Sequence, residues 1–442
     1  MEQAIGKKAE RLSARRTDLY LPDGPAGFPI IEITARSDIA HGHIYMENHV
    51  FTPDSRRFIF QRHHGYALKK GSRKRDLFIC DMDDDYSIRQ LTDENVAGLS
   101  NVTPDGKYAY YFVCLTDRLG FSLKRVALET GLRETVMVVD KPLPGYTAVP
   151  VQPIQSAVRL DGLAVTTQCY IGLPWAESGP YALIVLDLTK GEPRIILEGE
   201  DYFNQHVQYS RDPENPTGIL VQHNHGCCVD VDPAETNWPD YDSGKHLHRS
   251  DGGYGTDIHV IRDDGTHFRD LPWGRDGHEF CQGHQCWRGT TGTAVSANCG
   301  PNGNHIVEAR PMACEYNMHH RGRRLPGAEE NRNILSRFIE NPRFVHFGFD
   351  STGEFFVSDW VDGDWPDIDP LRDKLVLSRV GTERGAVIQP KDLCRTGTVF
   401  ADYETHPHPA LSPDHKTVIF NAGAPGKLPQ AMAAHVSDDM FK

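Results

Sequence analysis

The chain of 442 residues is 39% apolar and 24% charged, the composition of a globular protein with enough apolar side chains for a sizeable core. Its 61 acidic against 47 basic residues, a formal charge of −14, exclude a broad electrostatic grip on nucleic acid or on an anionic membrane. The longest apolar runs, such as YALIVLDL from Tyr181, stop well short of the roughly 18 to 20 residues that cross a bilayer, so no transmembrane helix is expected.

The N-terminal MEQAIGKKAERLSARR is charged and lacks the apolar stretch of a secretory signal, which favours a cytoplasmic location, with export open if the natural chain begins earlier. Further along, one phrase recurs: an apolar residue, Ser or Thr, Pro, Asp, often Gly, then an alternating strand. It stands as FTPDSRRFIFQ from Phe51, VTPDGKYAYYF from Val102, FDSTGEFFVSD from Phe349 and LSPDHKTVIFN from Leu411. The Pro-Asp-Gly portion is turn chemistry, and the residues after it alternate with period two, as in a half-buried strand. A second strand follows, as in DLFICDMD from Asp76 and TDIHVIRDDG from Thr256, and then an acidic or Gly turn leads to a short strand such as SIRQLTD or EPRIILEG.

Four short strands recurring about every 45 to 65 residues are the signature of a β-propeller. Cycles starting near residues 48, 97, 157, 205, 281, 343 and 406 make seven, so 1–442 reads as a single all-β, seven-bladed β-propeller domain. Too little chain follows Ala424 to finish the last blade, and the segment near 18–36, with its apolar FPIIEITA, is expected to close the ring. The clearest helical candidate is short, Glu329 to Phe338. The amphipathic helices that a doubly wound fold places between its strands are missing. In the fourth cycle the polar excursion DPAETNWPDYDSGKHLHRSDGGYG reads as a surface loop or lid over one end of the ring. Six of the ten cysteines (Cys227, Cys228, Cys281, Cys286, Cys299 and Cys314) fall in one stretch with no CxxC pair, a pattern that disulfides and buried free thiols fit equally and a zinc ribbon does not.

Ligands on a propeller meet near its axis, so the polar residues just before the Ser/Thr-Pro-Asp turns are the candidates for chemistry. Several blades carry histidine there: His49 in ENHVFTPD, His206 in NQHVQYSRD, His284 in GHQCWRGTTG, His346 in FVHFGFDSTG, and His406 with His408 in THPHPALSPD. Histidine is a common metal ligand and the usual acid or base near neutral pH. Two residues apart on an extended strand, His406 and His408 share a face and are placed to hold one metal ion, with Pro407 and Pro409 stiffening the backbone. His223 and His225 in LVQHNHGCCVD likewise share a face. A Cys-His nucleophile using Cys227 or Cys228 lacks any local signature, and no GxSxG elbow occurs for a serine hydrolase.

The order LVQHNHG, TDIHVIRDDG, GHQCW, VHFGFDSTGEFFVSD and THPHPALSPD resembles the seven-bladed oligogalacturonate lyases, polysaccharide lyase family 22, at motif level from about 205 to 422. The resemblance implies a divalent metal, manganese first, with calcium or no metal as the alternatives, and ligands at His284, His406 and His408. A glutamine of the family, three residues before the first HPHP histidine, is here Tyr403. His223 falls where the family has its proposed base, and Arg211 lies near an arginine that would meet the substrate carboxylate. The Glu-Gly after the family's base is here Asn224-His225, and His225 is the rival to His223. His346, His206 and His49 are expected to support or contact substrate, and Tyr403 to assist the leaving oxygen.

The chemistry fits these residue types. β-Elimination of a 4-linked uronate needs a base for the C5 proton and a cation on the carboxylate, and a neutral histidine beside a metal or arginine supplies both. The expected function is therefore a lyase on uronic-acid-containing oligo- or polysaccharide, with oligogalacturonate as default substrate and a glucuronate-bearing glycan, such as one capped by rhamnose, as the alternative. A non-catalytic propeller that binds partners is the reading from another class, and clustered histidines argue against it. The sequence carries no signal for oligomeric state.

Overall fold

The Ser/Thr-Pro-Asp form of the repeated phrase folds the same way in blades one, two and seven. Thr52, Thr103 and Ser412 donate their hydroxyls to Asp54, Asp105 and Asp414 at 2.6, 2.6 and 2.7 Å. Each of these hydroxyls in turn accepts the amide of the first residue of the next strand, Arg57, Tyr108 or Thr417. The residue after each Asp takes a left-handed backbone, with φ of +60° at Ser55, +69° at Gly106 and +54° at His415. That conformation is easy for glycine alone, which is why the phrase reads "often Gly"; Ser55 and His415 carry its cost in the first and last blades.

The computed structural model describes residues 9–24, 28–35, 38–64, 74–172, 180–199, 202–224, 228–230, 248–250, 256–271, 273, 280–300, 303–310, 332–361, 373–381, 383, 385–398, 405–423, 427–436 and 438–441. Its strands form seven antiparallel blades around an axis. Blades one to six span Ala40–Gln90, Val96–Val139, Ser156–Gly199, Gln208–Asp270, Phe280–Ile334 and Phe344–Arg395, each a four-stranded sheet in sequential order. Inner strands contact one another between blades two and three, three and four, five and six, and six and seven. Blade seven holds Ala410–Leu411, Thr417–Ala422 and Gln430–His435, and Ile30–Glu32 and Ala14–Arg15 add its outer strands. Ile30 lies opposite Ala434 and Glu32 opposite Met432, so the two ends of the chain meet in one sheet.

Packing between blades supplies the core. Phe58, Phe60 and Phe78 of blade one are buried against Val102, Tyr111 and Val126 of blade two. Each fully buried large apolar side chain of this kind contributes about 1.5 to 3 kcal/mol. Two expectations change. The helical candidate at 329–338 is a strand, Arg332–Ile334, followed by a turn, because the fourth position in a blade recruits it to the edge of Gly303–Ala309. Among the described residues the one helical element is the 3-10 turn Asp438–Phe441, and no helix is long and apolar enough to cross a membrane. The base of the polar excursion in blade four forms a two-stranded ribbon, Cys228–Asp230 with His248–Ser250, and the rest of that excursion lies outside the described residues. Cys80, Cys114, Cys169, Cys281, Cys286, Cys299 and Cys394 are free thiols, whereas Cys227 and Cys314 lie outside the described residues.

Candidate functional site

Period-two alternation breaks on the inner strands, and the breaks carry the site. Register shifts occur between Cys281 and His284 in blade five and between Phe344 and Phe347 in blade six. Such bulges insert residues on one strand and re-aim its side chains. In blade five the bulge needs glycine: Gly283 has φ +80°, and a Cβ there would stand 2.6 Å from Gln222 Nε2. In blade one the inner strand stops at His43 and pairing resumes at the Phe51–Phe58 bridge. The intervening loop reaches the axis, since Tyr45 packs against both His206 of blade four and His408 of blade seven.

Four imidazoles from three blades converge at this mouth of the axial channel. His346, His406 and His408 each offer a nitrogen, and these atoms all lie within 4.8 Å of one another. The His284 ring stands 4.4 Å from that of His346, with its Nδ1 3.3 Å from Gln282 Oε1. The expected trio was His284, His406 and His408. The structure puts His346, expected as a substrate contact, into the tight cluster and leaves His284 beside it. His408 does not follow an extended strand: its φ is +42°, a conformation that costs a non-glycine residue about 1 to 3 kcal/mol and persists where surroundings impose it. His43 contributes by sharing a hydrogen bond with the His408 carbonyl.

The cluster suits a divalent transition ion. Burial first, and then the neighbouring histidines, hold His284 and His408 well below the ordinary imidazole pKa, so both are in the neutral form that ligates metal. His346 donates Nδ1–H to buried Asp359 at 2.6 Å, and Asp359 also accepts the His346 amide at 2.7 Å. A carboxylate behind a histidine fixes its tautomer and turns Nε2 toward the metal position. An all-imidazole donor set fits a divalent transition-metal ion better than calcium, which takes oxygen ligands.

His206 is buried beside the cluster with φ +47°. Its Nδ1 lies 3.0 and 3.1 Å from the two carboxylate oxygens of Glu47, whose own pKa is raised by burial.

In blade four, His223 stacks on Tyr202 with ring centroids 4.1 Å apart. Its Nδ1 stands 3.2 Å from His259 Nε2, and His259 Nδ1 donates to Asp270 at 2.7 Å. The result is a His-His-Asp relay running outward across three strands of one sheet. His225 and Tyr403 lie outside the described residues.

Arg211 does not join His223. Tyr209 pairs with Ile219; Arg211 lies two residues beyond the first, and His223 four beyond the second in the opposite direction, so they stand about 20 Å apart along the strands at roughly 3.3 Å per residue. Arg211 opens instead into a cavity at the turn end of the axis together with His49. A shared grip of Arg211 and His223 on one sugar ring is thereby corrected.

Asp359, Glu47, Gln282, His259 and Asp270 escaped the sequence reading. Alternation hints at some of them, because Asp359 in FFVSDW is an acid in an otherwise buried strand, and such an acid needs a partner. The others depend on register across blades.

No protein-family model matches this chain, and no curated protein matches it. Solved structures do. An oligogalacturonate lyase in complex with manganese aligns over 100% of both chains at 18% identity with a TM-score of 0.67. An oligogalacturonate lyase from Vibrio parahaemolyticus aligns over 98% of each chain at 15% identity with a TM-score of 0.65. These likenesses establish the seven-bladed propeller fold.

Proposed function

We propose that this protein is a lyase that cleaves a 4-linked uronic acid oligosaccharide by β-elimination, with oligogalacturonate as its first substrate and a rhamnose-capped glucuronate as the second to test. The observation that carries the reading is the convergence of His346, His406 and His408, with His284 against them, on a propeller that aligns end to end with a lyase in complex with manganese. A divalent ion held there supplies Lewis acidity toward the substrate carboxylate, making the adjacent C5 proton more acidic.

The chain's own residues do the rest. His223 takes the C5 proton, and the imidazolium is stabilised through His259 and Asp270. The C5–H electron pair forms the C4–C5 double bond, the C4–O bond breaks with its pair going to the leaving oxygen, and that oxygen takes a proton from water. Tyr202 holds the base's ring by stacking. With Arg211 at the other end of the blade, His346, His406 and His408 would hold the cation that neutralises the carboxylate.

The test is the ultraviolet absorbance of the conjugated 4,5-unsaturated product across a panel of galacturonate and glucuronate oligosaccharides, before and after exhaustive chelation. Product from at least one substrate, lost on chelation and restored by manganese, is expected. Saturated products from the whole panel would mean hydrolysis and end the lyase reading.

A further inference from the structure

At the turn end of the axis lies a cavity of about 250 Å³ between the inner strands and the repeated turns. Its walls are largely apolar, with Met46, Phe51, Val102, Phe349 and Leu411 among them, and Arg211 and His49 bring its nitrogen donors. Arg211 is half-buried. Among the described residues no hydrogen bond or ion pair holds its guanidinium, although most of the described arginines are paired, as Arg288 is with Glu308 at 2.7 Å.

The groups around it leave its guanidinium without a hydrogen-bonding partner. The Asp350 carboxylate, the acidic neighbour, is engaged in its own turn, accepting the amides of Gly353 and Phe355 at 2.9 and 3.1 Å and the Thr352 hydroxyl at 2.6 Å. The Cys286 thiol is kept protonated by burial. His49 is held neutral by burial and then by the Arg211 charge itself. Burial also lowers the Arg211 pKa, the mark of a cation whose desolvation is not offset by a partner. A guanidinium placed this way presents a planar fork of donors to whatever enters.

We propose that this cavity is a second ligand site, separate from the histidine cluster, which binds one monocarboxylate of sugar-acid size with the carboxylate on Arg211. With His49 neutral, Arg211 is the one cation lining the cavity, and the Asp350 carboxylate nearby keeps its negative charge, so the site suits a monoanion held by the guanidinium fork better than a phosphate dianion. Apolar walls suit the C–H face of a pyranose ring. The volume falls just under the roughly 300 to 1,000 Å³ of ordinary ligand pockets, which suits one ring rather than a chain. The site stands whether or not the protein is a lyase.

The experiment is calorimetric titration of galacturonate into the full-length His346→Ala protein under chelation, a background in which the histidine cluster is disabled. One saturable site is expected there, weakened about tenfold by adding Arg211→Lys, which keeps the charge but loses the fork, and abolished by adding Arg211→Gln. Absence of saturable binding in the His346→Ala background, or binding unchanged by Arg211→Gln, would overturn the proposal. Acetate or phosphate binding as tightly as galacturonate would overturn the sugar-acid assignment. Melting temperatures guard the interpretation: with no ligand, Arg211→Gln is expected to melt at or above the temperature of the parent, because a partly desolvated guanidinium with no hydrogen-bonding partner is removed. A lower melting temperature would mark Arg211 as structural and count against the site.

Discussion

The two ends of the axial channel are built on different rules. At the turn end, geometry is stamped by repetition: Thr52, Thr103 and Ser412 make the same hydroxyl-to-Asp and amide-to-hydroxyl bonds in blades one, two and seven. At the histidine end nothing repeats. The inner strand of blade one is interrupted, those of blades two, five and six are bulged, and His206 and His408 adopt left-handed backbones. Regularity serves the frame, and departures from it position chemistry, because aiming four imidazoles at one point requires strands that abandon their common register.

The comparison breaks most visibly at the cluster. His346→Ala removes one of three nitrogens lying within 4.8 Å of one another, and is expected to abolish high-affinity manganese binding and lower turnover at least about 10³-fold, read by metal titration and initial rates. Full activity with unaltered metal affinity would move the site elsewhere. His223→Ala is expected to cut kcat by roughly 10² to 10⁴, the range of general-base catalysis, with KM less affected. Asp270→Asn should produce a smaller loss together with a shifted pH profile. Should His223→Ala remain near full turnover while His225→Ala fails, the base is His225.

Two smaller effects sharpen the contrast. Asp359→Asn leaves all cluster histidines in place but weakens the acceptor behind His346, and about a 10- to 100-fold loss in metal affinity is expected. Unchanged affinity would show that packing alone orients the ring. At the turn end, Thr103→Val deletes a hydroxyl that bonds Asp105 and the Tyr108 amide and should cost about 1 kcal/mol of stability with no change in kcat. A drop in turnover without a drop in denaturation midpoint would mean that the turns take part in chemistry.

The sequence by itself determined the propeller and the number of blades, because turn chemistry and period-two alternation are local and survive in each degenerate copy. It also contained the residue types of the cluster. What it could not decide is everything that depends on one strand's position relative to another. Membership of His346 in the tight cluster follows from a bulge in blade six. The left-handed turn of His408 comes from contacts with His43 and Tyr45 across blades. The separation of Arg211 from His223 follows from the Tyr209–Ile219 register, and recruitment of 332–334 as an edge strand from the open side of Gly303–Ala309. Side chains far apart in the chain meet only once the ring has closed, and closure is a property of how seven sheets pack rather than of any one segment.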